Sequence, residues 1–303
     1  MLDLSCKYSR KEEFFMSTTI LYNTLAGNGE AEAKARELAM SLQDEDCDIV
    51  DISSIEDYTS FLSSKNEDDT VVICGGDGTL NRFANAVADI SVKCSVLYFA
   101  QGSGNDFLRD IGADASKPVK INEYIKNLPT AEVNGKTYHF LNNVGFGIDG
   151  YCCEIGDKKK AKGEKDINYT AIAIKGLLVD FKPQRATVRI DGQEYTYKKV
   201  WIAPTMKGRF YGGGMMPTPA QDRLSPDGKL SVMLFHGSGK LKTLMIFPSL
   251  FKGEHIKHKK HIAIHEGYDV EVIFDKPCAL QIDGETFLGV TSYKASARVP
   301  AKI

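Results

Sequence analysis

Residues 71–81 read VVICGGDGTLN, and no other stretch restricts the fold as tightly. Val71 to Cys74 have the apolar composition of a buried strand. Gly75-Gly76-Asp77-Gly78-Thr79 then interrupts the pattern. Leu80, Phe83, Ala84 and Val87 resume it at the i, i+3, i+4, i+7 spacing of an amphipathic helix. A strand that turns directly into a helix is one half of a parallel-sheet crossover. One or two glycines suffice for a turn, so three around a single carboxylate imply close approach to this main chain.

The flanking sequence repeats the unit. Thr18 to Asn23, Asp48 to Ile52 and Ser95 to Phe99 read as strands. Asn28 to Gln43 reads as a helix with Ala31, Ala35, Leu38 and Leu42 on one face. Gly102 to Ile111 is expected to be a loop and short helix stopped by Gly112. Residues 17–127 are thus expected to form an α/β domain with an open, mostly parallel sheet. Ligands of such sheets sit beyond the carboxyl ends of the strands. Three small-residue loops fall there: NTLAGNG (23–29), GGDGT (75–79) and GSGND (102–106). After Thr130 strand signals dominate, with a hairpin at Asp191-Gly192 and one helical stretch near Asn168 to Leu178. Residues 128–290 are expected to form a β-sandwich or barrel-like domain.

A chain of 303 residues accommodates two such domains. Its net charge of −2 supplies no general field for nucleic acid. No apolar run approaches the ~18 residues of a membrane span. Residues 1–16 lack the apolar core of a signal peptide and read as an appendage, with Met16 an alternative start. Seven scattered cysteines without a CxxC pair argue against a zinc or redox site, so a cytoplasmic location is expected.

Main-chain N–H groups at Gly76 and Gly78, with the helix end near Thr79, suit an anion, and Thr79 can add its hydroxyl. A carboxylate at Asp77 would repel phosphates unless a divalent cation lies between them, as Mg²⁺ commonly does. A tight turn in which Asp77 caps the helix explains the loop equally well. Walker and GxGxxG spacings are absent, Ser103 lacks the glycine flanks of a nucleophile elbow, and protein-kinase signatures are missing.

With GGDGTLN, GSGNDF and QIDGE in this order, the chain resembles the diacylglycerol kinase catalytic-domain family, in particular its soluble bacterial lipid kinases. GGDGT alone is shared by NAD kinases and sphingosine kinases. The resemblance implies an NAD-kinase-like α/β domain and a C-terminal β-sandwich, with residues 291–303 returning to the first domain. It implies ATP binding by Asn23 and Gly27, by Gly75, Gly76, Asp77, Gly78, Thr79, Leu80 and Asn81, and by Gly102, Ser103, Gly104 and Asn105. Asp77 would serve the catalytic Mg²⁺. A structural Mg²⁺ would lie at Leu224, Asp227 and Lys229, where a plain turn at Asp227-Gly228 is an equal alternative. Asp283 or Glu285 would take the proton of the lipid hydroxyl, although Asp283-Gly284 by itself reads as a hairpin turn. The partners implied are ATP and a membrane lipid, met by an enzyme that visits the membrane surface peripherally; a homodimer is compatible. Two departures stand out: Thr24 where relatives carry Pro, and Arg82 where they carry Glu. YGGGMM (211–216) and NNVGFGID (142–149) also match family segments beside the cleft. The rival functions are NAD kinase and a regulator that binds nucleotide or lipid without catalysis. His255, His258 and His261, interleaved with lysine, read as a basic strip rather than a metal site, and KKKAKGEK (158–165) as a solvated loop.

Overall fold

A computed structural model describes residues 17–24, 29–42, 47–102, 104–164 and 167–297. The appendage 1–16, Gly27 and Ser103 lie outside these residues. In the N-terminal part, β1 (Thr18–Tyr22), α1 (Ala31–Leu42), β2 (Cys47–Asp51), α2 (Tyr58–Ser63), β3 (Thr70–Gly75), α3 (Asp77–Val87), β4 (Ser95–Ala100), α4 (Asp106–Ile111) and β5 (Val119–Lys120) follow one another. The sheet order is β2-β1-β3-β4-β5; the first four strands are parallel and β5 runs antiparallel to β4. Strand alternation explains the layering. Ile20, Tyr22, Val72 and Cys74 pack against α1 on one face. Leu21, Val71, Ile73, Val96 and Tyr98 pack with Leu80, Phe83 and Phe107 on the other. The chain leaves β1 toward β2 on one side and reaches β3 on the other, so the strand order reverses between β1 and β3. Such a reversal opens a crevice at the strand ends, here between Asn23 and Gly76.

The C-terminal part contains β6 (Thr130–Val133), β7 (Lys136–His139), β8 (Asn143–Gly147), α5 (Ile148–Ala161), α6 (Tyr169–Lys175), β9 (Gln184–Ile190), β10 (Gln193–Val200), β11 (Ile202–Met206), β12 (Leu230–Phe235), α7 (Lys240–Ile246), β13 (Ile262–Gly267), β14 (Asp269–Ile282) and β15 (Glu285–Ser296). A π-helical turn, Gly176–Asp180, follows α6, and 3₁₀ turns follow α7. All ten strands join one antiparallel, sandwich-like sheet. Its inner face is lined by Phe146, Val188, Leu234, Phe274, Leu280 and Tyr293. The other core packs α6, the π turn and α7 over Trp201, Met233 and Phe235.

Three hairpins turn on two left-handed residues each: Asn134-Gly135 (φ 51° and 74°), Asp191-Gly192 (47° and 84°) and Asp283-Gly284 (45° and 90°). Asn and Asp tolerate this region and Gly occupies it freely, which is why these dipeptides reverse the chain. The described part of 291–303 does not return to the first sheet. Ser292 to Ser296 lie within β15 and pair with β14 and β6, because Val290, Tyr293 and Ala295 are buried in the second core.

Candidate active site

The glycine bend joins β3 to α3 at the crevice. Its glycines answer to different constraints. A Cβ on Gly75 would lie 2.7 Å from the Thr79 side chain, and one on Gly102 would lie 2.9 Å from the Gly76 Cα. Gly75 makes room for the Thr79 side chain, and Gly102 lets the loop after β4 touch the bend after β3 main chain to main chain. A Cβ on Gly78 would meet nothing within 4 Å. Gly78 borders open space in the first turn of α3, where N–H groups lack helical acceptors. Packing requires Gly75 and Gly102, whereas Gly78 is left open to an incoming group.

Around this opening sit polar atoms without partners. Thr79 Oγ1 and Asn105 Oδ1 are buried and make no hydrogen bond, a condition that ordinarily disfavours the folded state unless a ligand completes it. The Asp77 carboxylate accepts from the Asp106 N–H at 3.3 Å and the Phe107 N–H at 3.4 Å. Burial pushes its carboxyl up from the usual range despite these bonds. Asp106 accepts from the Gly213 N–H at 2.7 Å and from Arg109 Nη1 at 3.0 Å. Burial, reinforced by the negative charge of Asp77, pushes Asp106 up to about 6 although the Gly213 N–H opposes it. Two carboxylates that disfavour each other's charge, beside orphaned oxygens, suit a hard divalent cation. Asp77 and Asp106 therefore fit Mg²⁺.

The segment 211–216 closes one side. Gly212, Gly213 and Gly214 have φ of 62°, 80° and 109°. A Cβ on Gly214 would lie 2.6 Å from Arg109 Nη1.

The second carboxylate cluster lies at the β14–β15 hairpin. Asp283 is half-buried, and its carboxylate accepts N–H bonds from Leu141, Asn142 and Asn143, the last two at 2.8 Å. Burial pushes its carboxyl up to about 6 against the pull of these donors and of the Arg223 charge. Glu285 is exposed and lines a cavity of about 190 Å³ with Asn81, Arg82, Asn85, Tyr138, His139 and Phe287. Asp283-Gly284 is thus a hairpin turn and a fixed carboxylate at once. Gln281 Oε1 accepts from the Gly284 N–H at 2.9 Å, and its Nε2 reaches the buried Asp149 at 3.4 Å.

The two halves are tied through Arg223. This buried guanidinium pairs with the buried Asp110 of α4, donates to Asn142 Oδ1 at 2.8 Å and stacks over Phe107 at 4.7 Å. Asp110 also accepts from Arg209 Nε at 2.9 Å.

The structure thus gathers Gly75, Gly76, Asp77, Gly78, Thr79, Gly102, Gly104 and Asn105 at one opening. Asn23 stands at the end of the neighbouring β1. Leu80 turns its side chain into the core, and Asn81 faces the cavity shared with Glu285. At the 224–229 turn, the Asp227 carboxylate accepts from Ser225 Oγ at 2.6 Å and faces Lys229 Nζ at 3.4 Å. Leu224 is exposed there, bordering a separate cavity of about 320 Å³ with Arg209 and Arg223. His255 is fully buried with Nε2 against Pro217 O at 2.8 Å. No group of three His, Cys, Asp or Glu side chains is arranged for a metal among the described residues. Sequence reasoning missed Asp106, although GSGND places it directly after Asn105, and missed the Arg223–Asp110 tie, for which no motif gave a signal.

An open α/β sheet with a backbone-lined bend at its strand reversal, joined to an antiparallel sheet that brings a fixed carboxylate, is the build of a two-domain phosphotransferase. Residues 17–134 match the diacylglycerol kinase catalytic domain, and residues 142–301 the YegS C-terminal NAD kinase beta sandwich-like domain. The chain belongs to the family of the YegS C-terminal domain, carries a match to the diacylglycerol kinase catalytic domain before it, and is a kinase of the lipid-kinase type. It is 24% identical over 251 residues to a diacylglycerol kinase of Mycobacterium tuberculosis, covering 79% of each chain. It is 24% identical to a diacylglycerol kinase of Bacillus subtilis, covering 72% of each. Among solved structures, a diacylglycerol kinase from Bacillus anthracis superposes with a TM-score of 0.63 at 19% identity, covering 93% of this chain and 94% of that one.

Proposed function

We propose that this kinase transfers the γ-phosphate of ATP to the hydroxyl of diacylglycerol or a similar membrane lipid alcohol. The observation that carries the nucleotide half is the open face at Gly78, in the bend that holds Asp77 and the unpaired Thr79 oxygen and beside the loop that holds Asp106 and the unpaired Asn105 oxygen. The phosphates would lie on the main chain of the bend. Asp77 and Asp106 would hold one Mg²⁺, which when bound offsets the charge gathered on the phosphates.

The two carboxylates of the β14–β15 hairpin divide the remaining work. Asp283 has its oxygens engaged by three N–H donors, so it holds the turn and the 141–143 segment in register. Glu285 has a free carboxylate facing a cavity, and it is the group that would accept the hydroxyl proton. Arg82 shares that cavity, so its cation stands where the family resemblance implies an acid. Positioning and charge neutralisation supply most of the rate in such transfers.

The test is incubation with ATP, Mg²⁺ and a total lipid extract, with products identified by mass. Our reading expects one lipid class to gain a phosphate, and turnover to fall about 100-fold or more in Glu285→Gln. Phosphorylation of NAD, or of no lipid, would overturn it.

A further inference from the structure

Large apolar side chains left in solvent concentrate on one face of the C-terminal part. On α7, Leu241 and Met245 are each 74% exposed. They stand four residues apart and so share one side of the helix, while Thr243 and Ile246 are buried on the other. The π turn packs beside α7 through Lys240 Nζ, which donates to Leu178 O at 2.8 Å. It adds Leu178 and the 62%-exposed Val179, and the 3₁₀ turns after α7 add Phe251 and Ile256. Segment 240–260 carries six lysines and one glutamate in a chain whose net charge is −2.

We propose that this face docks on the surface of an anionic lipid bilayer, with Leu241 and Met245 entering the headgroup boundary and the lysines meeting lipid phosphates. Exposed apolar side chains in a lysine-rich segment are the chemistry of an interfacial helix, and lysine stems cover apolar surface while their ammonium groups reach outward. A second copy of this chain is the poorer occupant, because a two-fold contact would set one lysine cluster against another. A lysine near an anionic surface raises partitioning about fivefold. The face also connects to the site. Asp149, in the first turn of α5, is linked by Gln281 to the Asp283 turn, and α5 packs on α6, which continues into the π turn. The inference rests on the lipid-kinase reading only in that a bilayer is where the substrate resides.

The experiment is cosedimentation of the full chain with vesicles of phosphatidylcholine alone or of equimolar phosphatidylcholine and phosphatidylglycerol. In parallel, phosphorylation of a short-chain diacylglycerol dissolved below its aggregation point is measured. The wild type is expected to partition at least about tenfold more onto the anionic vesicles, and less in high salt. Leu241→Asp/Met245→Asp is expected to lose about tenfold or more of that binding, with an unchanged melting temperature and unchanged turnover of the dissolved substrate. Absent wild-type binding, or equal binding by the variant, overturns the proposal. So does a variant that only converts a dimer to a monomer. Vesicle binding lost in the variant, with no lipid phosphorylated by either protein, supports the face and overturns the kinase reading alone.

Discussion

At the residue scale, the glycines of the bend separate packing from binding. Gly102→Ala forces a Cβ to 2.9 Å from the Gly76 Cα, so we expect it to destabilise the protein by about 1–3 kcal/mol. Gly78→Ala meets no neighbour and replaces a glycine inside a helix. Its melting temperature should hold or rise, since alanine is favoured there by about 1 kcal/mol, while KM for ATP rises several-fold. A lowered melting temperature in Gly78→Ala with KM unchanged would contradict the assignment. The same contrast applies to the hairpin carboxylates. Asn tolerates the left-handed φ of 45° at Asp283. Asp283→Asn therefore tests the carboxylate alone: turnover should fall less than in Glu285→Gln, with the larger loss of melting temperature. The reverse ranking would make Asp283 the base.

At the element scale, Asp69 joins the starts of β1 and β3, accepting from the Ser17 N–H at 3.0 Å, Ser17 Oγ at 2.9 Å and the Asn66 N–H at 2.7 Å. Burial alone would raise its carboxyl, but these donors outweigh it and hold it below the model-peptide value of 3.8. A folded value below the unfolded one means the stabilisation is complete above 3.8 and disappears as pH falls through the folded value. The stability gap between wild type and Asp69→Asn should therefore be open at neutral pH and close in strong acid. Urea titrations at both pH values check this, and a gap that widens in acid would contradict it.

The elements also show what the sequence made legible. Strands β1 to β4 and helix α3 were readable because alternation and helical spacing coincide with burial on single faces. Helix α5 was not, and its last turn was read as a solvated loop. The reason lies in how it packs. Its inward positions include Gly150 and Gly156, where a Cβ would lie 2.2 Å from Ala279 O and 2.7 Å from the Tyr169 ring. A helix pressed against its neighbours through glycine leaves little hydrophobic periodicity to detect. Helices α2 and α7 span only one to two turns, too few for a period to emerge. At the site, GGDGT and GSGND announced themselves as loops. The proposed division between Asp283 and Glu285 was closed to the sequence, because it rests on N–H donors from residues 141–143, distant in the chain.

At the scale of the whole molecule, the buried ion pair Arg223–Asp110 ties the connection between β11 and β12 to α4. Arg223→Met leaves Asp110 with Arg209 as its remaining cation and removes the donor to Asn142. Breaking a buried pair from one side costs about 3–5 kcal/mol. We expect the lower end of that range in chemical denaturation, with a fall in turnover because the segment that holds Asp283 loses its anchor. A variant within about 0.5 kcal/mol of wild type would show that the tie contributes little. Among the described residues no helix is long and apolar enough to cross a membrane.

What unites these scales is a single physical idea: the crevice between β1 and β3 leaves main-chain donors uncovered so that polyphosphate and its cation can complete them. A crystal structure of the chain with Mg²⁺ and a non-hydrolysable ATP analogue addresses that idea most directly. It should show phosphate oxygens hydrogen-bonded to the Gly78 main chain and the Thr79 hydroxyl, with the metal held by Asp77 and Asp106. A nucleotide bound elsewhere, with the bend as open as before, would contradict the account.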